Sequence, residues 1–201
     1  MKRFITLWTA LFALAGAGAQ TAEVFRSEFV PFDTRDDAAL LRAADRVIFP
    51  GQGEAAGAMA YLRSRGLDGV IRSLTQPVLG ICIGQQLLCR HSEEGDTDCL
   101  GIFDAGVTRF RPTRREDKVP AMGWNALHDM RGPLFRGLDD GDFVYFVHSY
   151  YVPLCRHTAA TAEHTLTYSA ALQRDNFYAT QFHPEKSGDA GERIIKNFLE
   201  L

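Results

Sequence analysis

The chain has 201 residues, enough for one α/β domain with a sizeable core and too few for two full domains. Its 46% apolar and 23% charged residues are those of an ordinary soluble globule. A net charge of −3, with no long basic stripe, argues against nucleic acid as a partner.

In chain order, Lys2-Arg3 precedes an uncharged stretch from Phe4 to Ala22, and Ala17-Gly18-Ala19 resembles a signal-peptidase site. The stretch is just long enough to raise a membrane span, but its glycines and threonines weaken that. A parallel α/β sheet places an early strand near its middle, and Phe4-Ile5-Thr6-Leu7-Trp8 is the candidate for it. Cleavage after Ala19 would remove that strand. The sequence therefore favours a cytoplasmic protein with no membrane segment, although residues 1–30 are atypical and lack the polar face of a surface helix.

Residues 36–44 read as a short helix with an acidic start. Arg46-Val47-Ile48-Phe49 is a short apolar run closed by Pro50-Gly51, as expected of a buried parallel strand. A helix over 54–65 stops at Gly66, another short one runs to about Leu74, and Pro77 opens the strand Val78-Leu79-Gly80-Ile81. Strand and helix alternate over short connections, which predicts right-handed βαβ units. From Leu100 onward the rhythm becomes strand-like, at 107–110, 125–127, 143–152, 170–172 and 177–182, before a closing helix over 190–199. The mixed-sign charge run from Arg111 to Lys118 contains a proline and reads as a solvated loop. No repeat, low-complexity tract or interdomain linker interrupts this order, which implies one domain over 1–201.

Gly80-Ile81-Cys82-Ile83-Gly84 carries the first chemical signal. A nucleophile between small residues, at a strand end and opening a helix, is the nucleophile-elbow pattern. The glycines allow a sharp turn, and the helix N-terminus favours thiolate over thiol. A free cysteine is also commonly just a small core hydrophobe. The second signal is Gln181-Phe182-His183-Pro184-Glu185, after an apolar strand and before the last helix. His183 can take the thiol proton and return it to leaving ammonia, and Glu185 can hold the imidazole in the useful tautomer. The third is Pro50-Gly51-Gln52-Gly53, a turn able to present main-chain N–H groups to an oxyanion, or simply a βα connection. Cys89, Cys99 and Cys155 form no Cys-x-x-Cys or zinc spacing, and the six histidines form no His-Glu-x-x-His motif, so neither metal nor cofactor is expected.

These pieces, in this order, resemble the class I (triad) glutamine amidotransferases over about residues 36–201. The match narrows to the branch formed by the glutaminase subunits of imidazole glycerol phosphate synthase. Ser92-Glu93-Glu94-Gly95, Met122-Gly123-Trp124-Asn125, Tyr145-Phe146-Val147-His148-Ser149-Tyr150-Tyr151 and Lys186-Ser187-Gly188 carry that narrower match. The resemblance implies a flavodoxin-like, open, mostly parallel sheet flanked by helices, with an added antiparallel region in the second half. It implies glutamine as substrate, Cys82 as nucleophile, His183 as acid/base and Glu185 as its orienting acid. The N–H groups of Gln52 and Ile83 would form the oxyanion hole. Gly51, Gln86 and Glu94 would hold the amino-acid end of glutamine, helped by the main chain around Ser149 and Tyr150. Trp124, Asn125, Tyr145 and Lys186 would face a (βα)8-barrel cyclase subunit in a heterodimer. Outside that resemblance, Trp124 and Tyr145 read equally as core aromatics, Lys186 as a solvated lysine, Gln86 as a surface residue and His148 as a hydrogen-bonded strand histidine.

Two departures stand out. The family's opening strand leads into a Tyr-x-x-Gly-Asn-like turn and a polar-faced helix, whereas this chain has Leu7-Trp8-Thr9-Ala10-Leu11, which points to an altered reading frame or start upstream of about residue 30. Ala121 also stands where the family commonly has histidine. Both bear on coupling to the cyclase more than on bond cleavage. The competing expectations are a subunit feeding another synthase, such as that for anthranilate, and a catalytically silent binding subunit.

Overall fold

The structure is a computed structural model that describes residues 4–6, 37–51, 53–114 and 117–201. The first half holds β1 (Phe4–Thr6), α1 (Asp37–Ala43), β2 (Arg46–Gly51), α2 (Ala55–Ser64), α3 (Leu67–Arg72), β3 (Val78–Cys82) and α4 (Ile83–Leu88). Short strands β4 (His91–Ser92), β5 (Thr97–Asp98) and β6 (Gly106–Arg109) follow. The second half holds β7 (Ala121–Ala126), β8 (Phe143–His148), β9 (Tyr150–Tyr151), β10 (Thr158–His164), β11 (Leu166–Arg174), β12 (Phe177–Thr180) and α5 (Gly188–Leu199).

The main sheet has the order β1-β2-β3-β12-β11-β10. β1, β2, β3 and β12 are mutually parallel, β11 pairs antiparallel with β12, and β10 pairs antiparallel with β11, as the fold expectation requires. One expectation is corrected: among the described strands, Phe4–Thr6 is outermost rather than near the middle. The signal-like residues 7–22 and the unmatched turn after the first strand lie outside the described residues.

Parallel strands covered on both faces must be apolar throughout, and β3 shows how the two faces divide. Val78 joins a core with α1, α2, α3 and α4, including Leu41, Met59, Leu62, Val70, Ile71 and Leu87. Leu79 and Ile81, one step along the pleat, join the opposite core with α5 and the antiparallel strands. Ile194 and Phe198 of α5 are fully buried there, each contributing roughly 1.5–3 kcal/mol of transfer free energy. Helix α2 starts where Glu54 accepts the Gly57 amide at 2.7 Å, an N-cap made by its own first turn.

Close approach, rather than turn geometry, explains the glycines at the elbow. A Cβ on Gly84 would lie 2.0 Å from the Phe49 carbonyl oxygen, so α4 runs directly against β2. β7 and β8 form a separate two-stranded sheet, and β9 pairs with β6. The expected strand over 143–152 is thus broken at Ser149, whose carbonyl accepts the Phe110 amide at 3.0 Å.

Candidate active site

Parallel register brings the C-terminal ends of β2, β3 and β12 to one edge. Gly51 pairs with Cys82, and Ile81 pairs with Thr180, three residues before His183. Cys82 leaves β3 with φ 55° and ψ −112°, left-handed backbone that a non-glycine residue adopts at a cost of order 1–3 kcal/mol. That turn sets the half-buried thiol at the start of α4, where Ile83 belongs to the first turn, whose N–H groups lack intrahelical acceptors.

His183 is buried, and its Nδ1 lies 2.7 Å from Glu185 Oε1. Donation to the carboxylate fixes the tautomer and leaves Nε2 for the nucleophile. That nitrogen is buried without a well-formed hydrogen bond among the described residues, and Cys82 is its electrostatic neighbour. Burial works against an imidazolium here, but Cys82 and Glu185 outweigh it and raise the His183 pKa to about 9. The pair is therefore suited to draw a proton from the thiol and give it to a leaving amine. The other cysteines offer a contrast. Burial, reinforced by Cys99 and Cys155, pushes the Cys89 thiol up, and burial raises Cys99 to about 11, so both stay protonated.

The residues expected to hold a substrate are each fixed by the main chain or by close neighbours. Gln86, buried on α4, donates from Nε2 to the Tyr150 carbonyl at 3.2 Å and to Gln181 Oε1 at 2.9 Å. Glu94 accepts the Ala55 amide at 2.8 Å at the start of α2, and burial pushes its carboxyl up. Gly51 has no room for a side chain: a Cβ would meet Ile83 Cγ2 at 1.6 Å and the Gly84 amide at 2.8 Å. Gln52 lies outside the described residues. His148 is a hydrogen-bonded strand histidine, with Nδ1 2.7 Å from the Tyr150 carbonyl and Nε2 3.3 Å from the Tyr168 hydroxyl.

A family model described as "Glutamine amidotransferase class-I" matches residues 16–201. The "Imidazole glycerol phosphate synthase subunit HisH" of Bacteroides fragilis is 61% identical over 165 residues, covering 82% of this chain and 84% of the relative.

The chain belongs to the class I glutamine amidotransferase family.

The subunit of the same name from Yersinia pseudotuberculosis is 46% identical over 93% of this chain and 95% of its own length. Among solved structures, the glutaminase domain of a Trypanosoma brucei protein titled CTPS, with bound acivicin, has a TM-score of 0.61 at 14% identity. It is matched over 100% of this chain and 94% of that one, a likeness of fold.

In this amidotransferase the residues expected to face a partner divide between two surfaces. Trp124 and Tyr145 are cross-strand neighbours with ring centroids 6.1 Å apart, and Trp124 is 55% exposed rather than part of the core. Lys186 is exposed on the turn Pro184–Lys186 beside them. Asn125 points to the opposite face of β7, where its Nδ2 donates to the Glu163 carbonyl at 2.7 Å. Ala121 is buried. Two residues quoted only as parts of motifs turn out to hold the site together: Gln181, which is fully buried, and Ser187, which links Tyr145 to His183. For Gln181 the signal available in the sequence was a polar residue closing an apolar strand; Ser187 lies in a polar stretch and gave none. Among the described residues there is no cluster of metal-ligating side chains, and no helix is long and apolar enough to cross a membrane.

Proposed function

We propose that this amidotransferase is the glutaminase subunit of imidazole glycerol phosphate synthase, acting in the cytoplasm as one domain over 1–201. It hydrolyses glutamine and passes ammonia to a (βα)8-barrel cyclase for formation of imidazole glycerol phosphate and AICAR. One observation carries the chemical part: Cys82, on a positive-φ turn, adjoins a His183–Glu185 pair with the acid at 2.7 Å. The Bacteroides fragilis and Yersinia pseudotuberculosis relatives, both named as imidazole glycerol phosphate synthase subunits, support the choice of synthase.

The Cys82 sulfur attacks the side-chain amide carbon of glutamine, and its proton passes to His183 Nε2. The N–H groups of Ile83 and Gln52 hold the oxyanion. His183 protonates the departing nitrogen, ammonia leaves, and a γ-glutamyl thioester remains on Cys82. Water, deprotonated by His183, then releases glutamate and the thiol. Both Nε2 hydrogens of Gln86 are committed to protein acceptors, so it meets substrate only through Oε1, as the acceptor for an ammonium group. Glu94 supplies a second acceptor for that ammonium. Gly51 and the main chain at Ser149 and Tyr150 bound the same end.

Docking is assigned to the outer face of the β7–β8 ribbon. Met122, Trp124 and Phe143 share that face at 66%, 55% and 58% exposure, a density of large apolar side chains that favours a protein partner. Tyr145 and Lys186 adjoin it, and Asn125 braces β7 from behind. A glutaminase assay with and without the cyclase subunit and its nucleotide ligand tests the whole. Hydrolysis by the complex that disappears in Cys82→Ala is expected; activity that survives Cys82→Ala rejects the mechanism. A pull-down that recovers a different synthase would reassign the partner alone.

A further inference from the structure

We propose that Gln181 acts directly on the nucleophile, donating a hydrogen bond from its carboxamide to the Cys82 sulfur in an orientation dictated through Gln86 by the Tyr150 carbonyl. The proposal rests on Cys82 being the nucleophile. Gln181 Nε2 lies 3.8 Å from Cys82 Sγ, a distance compatible with a sulfur acceptor. The side chain is fully buried, and its own amide is tied to the Ala170 carbonyl at 2.8 Å, so the carboxamide hangs from a fixed main chain.

Which end of that carboxamide meets the sulfur is decided elsewhere. Tyr150 offers only a carbonyl oxygen, so the group 3.2 Å from it on Gln86 must be the amino end. The same amino group lies 2.9 Å from Gln181, which must therefore present its oxygen there and its N–H to Cys82. Reversing Gln86 would set two acceptors against each other at Tyr150, and reversing Gln181 would set its amino group against that of Gln86, two donors inside the protein. The Tyr150 carbonyl is itself held by His148 Nδ1 at 2.7 Å, while His148 Nε2 meets the Tyr168 hydroxyl. Burial keeps that imidazole neutral, with its pKa near 4, so the donor and acceptor roles along the chain do not change near neutrality.

A hydrogen bond to an ionised acceptor is stronger than one to a neutral acceptor, so the Gln181 donor favours the thiolate. The Val147 carbonyl, also 3.8 Å from the sulfur, accepts from a thiol and favours the opposite state. Besides these two neutral groups, the titratable side chain beside the sulfur is His183, with Glu185 behind it. Gln181 thus sets the reactive form of sulfur together with His183, whereas Gln86 and His148 are positioning residues.

Alkylation of Cys82 by iodoacetamide in the full chain, followed by peptide mass spectrometry as a function of pH, provides the test. Gln181→Met removes the donor at similar volume. Its alkylation midpoint should rise by about one pH unit, about tenfold slower reaction below the midpoint. Gln181→Glu keeps the shape and the acceptor for Gln86 but sets an oxygen against the sulfur, and should shift the midpoint further. Gln86→Met should shift it in the same direction without touching sulfur. Folded Gln181 variants with the wild-type profile overturn the proposal. Loss of cooperative unfolding in both assigns Gln181 a packing role and also overturns it. Glutamine hydrolysis that persists in Cys82→Ala removes the nucleophile assignment itself, whatever the alkylation profiles show.

Discussion

Tyr145 and His183 are locked together through both sides of their peptide groups. The His183 amide donates to the Tyr145 carbonyl at 2.9 Å. In return, Ser187 Oγ accepts the Tyr145 amide at 2.9 Å and donates to the His183 carbonyl at 2.6 Å. Tyr145 pairs on its outer side with Trp124, so the proposed docking ribbon and the acid/base group share one short hydrogen-bonded unit. A partner that shifts the ribbon must shift His183 with it.

Trp124→Ala should separate docking from folding. The side chain is 55% exposed, so stability should change by no more than about 0.5 kcal/mol. If the ribbon is the docking face, affinity for the cyclase should fall by about 2 kcal/mol, roughly 30-fold in Kd. Calorimetric titration of the two subunits measures this, and an unchanged Kd would move the interface elsewhere.

Glu185→Gln should slow glutamine hydrolysis by about 10²–10⁴-fold, because the amide leaves the imidazole without its orienting charge. It should also change the alkaline melting profile. His183 is raised from 6.5 to about 9, so its stabilisation is complete below about pH 6.5 and is lost as pH rises through about 9. Melting temperatures measured across that window should fall in the wild type and change less in the variant.

His148 has the opposite sign. Burial lowers its pKa from 6.5 to about 4, so the unfolded chain binds the extra proton first. Stability should be intact above about pH 6.5 and decline as pH falls towards about 4, by an amount on the order of 3 kcal/mol. His148→Gln, less stable at neutral pH through its altered hydrogen bonds, should lose that component of acid sensitivity. Urea titrations at matched pH values would show it, and an identical acid slope would reject it.

Two glycine substitutions should differ in sign. Gly84→Ala drives a Cβ to 2.0 Å from the Phe49 carbonyl and should cost about 3 kcal/mol or more, with loss of activity. Gly69→Ala, within α3 and meeting nothing within 4 Å, should stabilise by about 0.5–1 kcal/mol. Denaturant midpoints of the two variants check both.

The strand-helix rhythm around β2 and β3 was legible because fully buried strands leave continuous apolar runs, and the elbow was legible because nothing but glycine fits beside it. β10 escaped notice: Thr158-Ala159-Ala160-Thr161-Ala162 has neither bulky β-formers nor clear alternation, and its order comes from pairing with β11. The outward Trp124 and inward Asn125 follow from a one-residue pleat, which a motif quoted as a block does not resolve. The role of Gln181 needed three elements brought together, since Gln86, Tyr150 and Cys82 are scattered over the sequence. The first strand's outermost place among the described strands could not be read from its composition, because apolar residues suit either position.

The shared register of β2, β3 and β12 also governs which length changes the gene can tolerate. Deleting one residue within Val47 to Pro50 would withdraw Gly51 by about 3.3 Å from Cys82 and invert the pleat beyond the deletion. The same holds between Val78 and Ile81, or between Phe177 and Thr180. The exposed loop around Arg111 to Arg114 carries no such constraint. Insertions and deletions compatible with activity should therefore accumulate in that loop and be purged from the three strands, so that their lengths, more than their composition, are what selection holds constant.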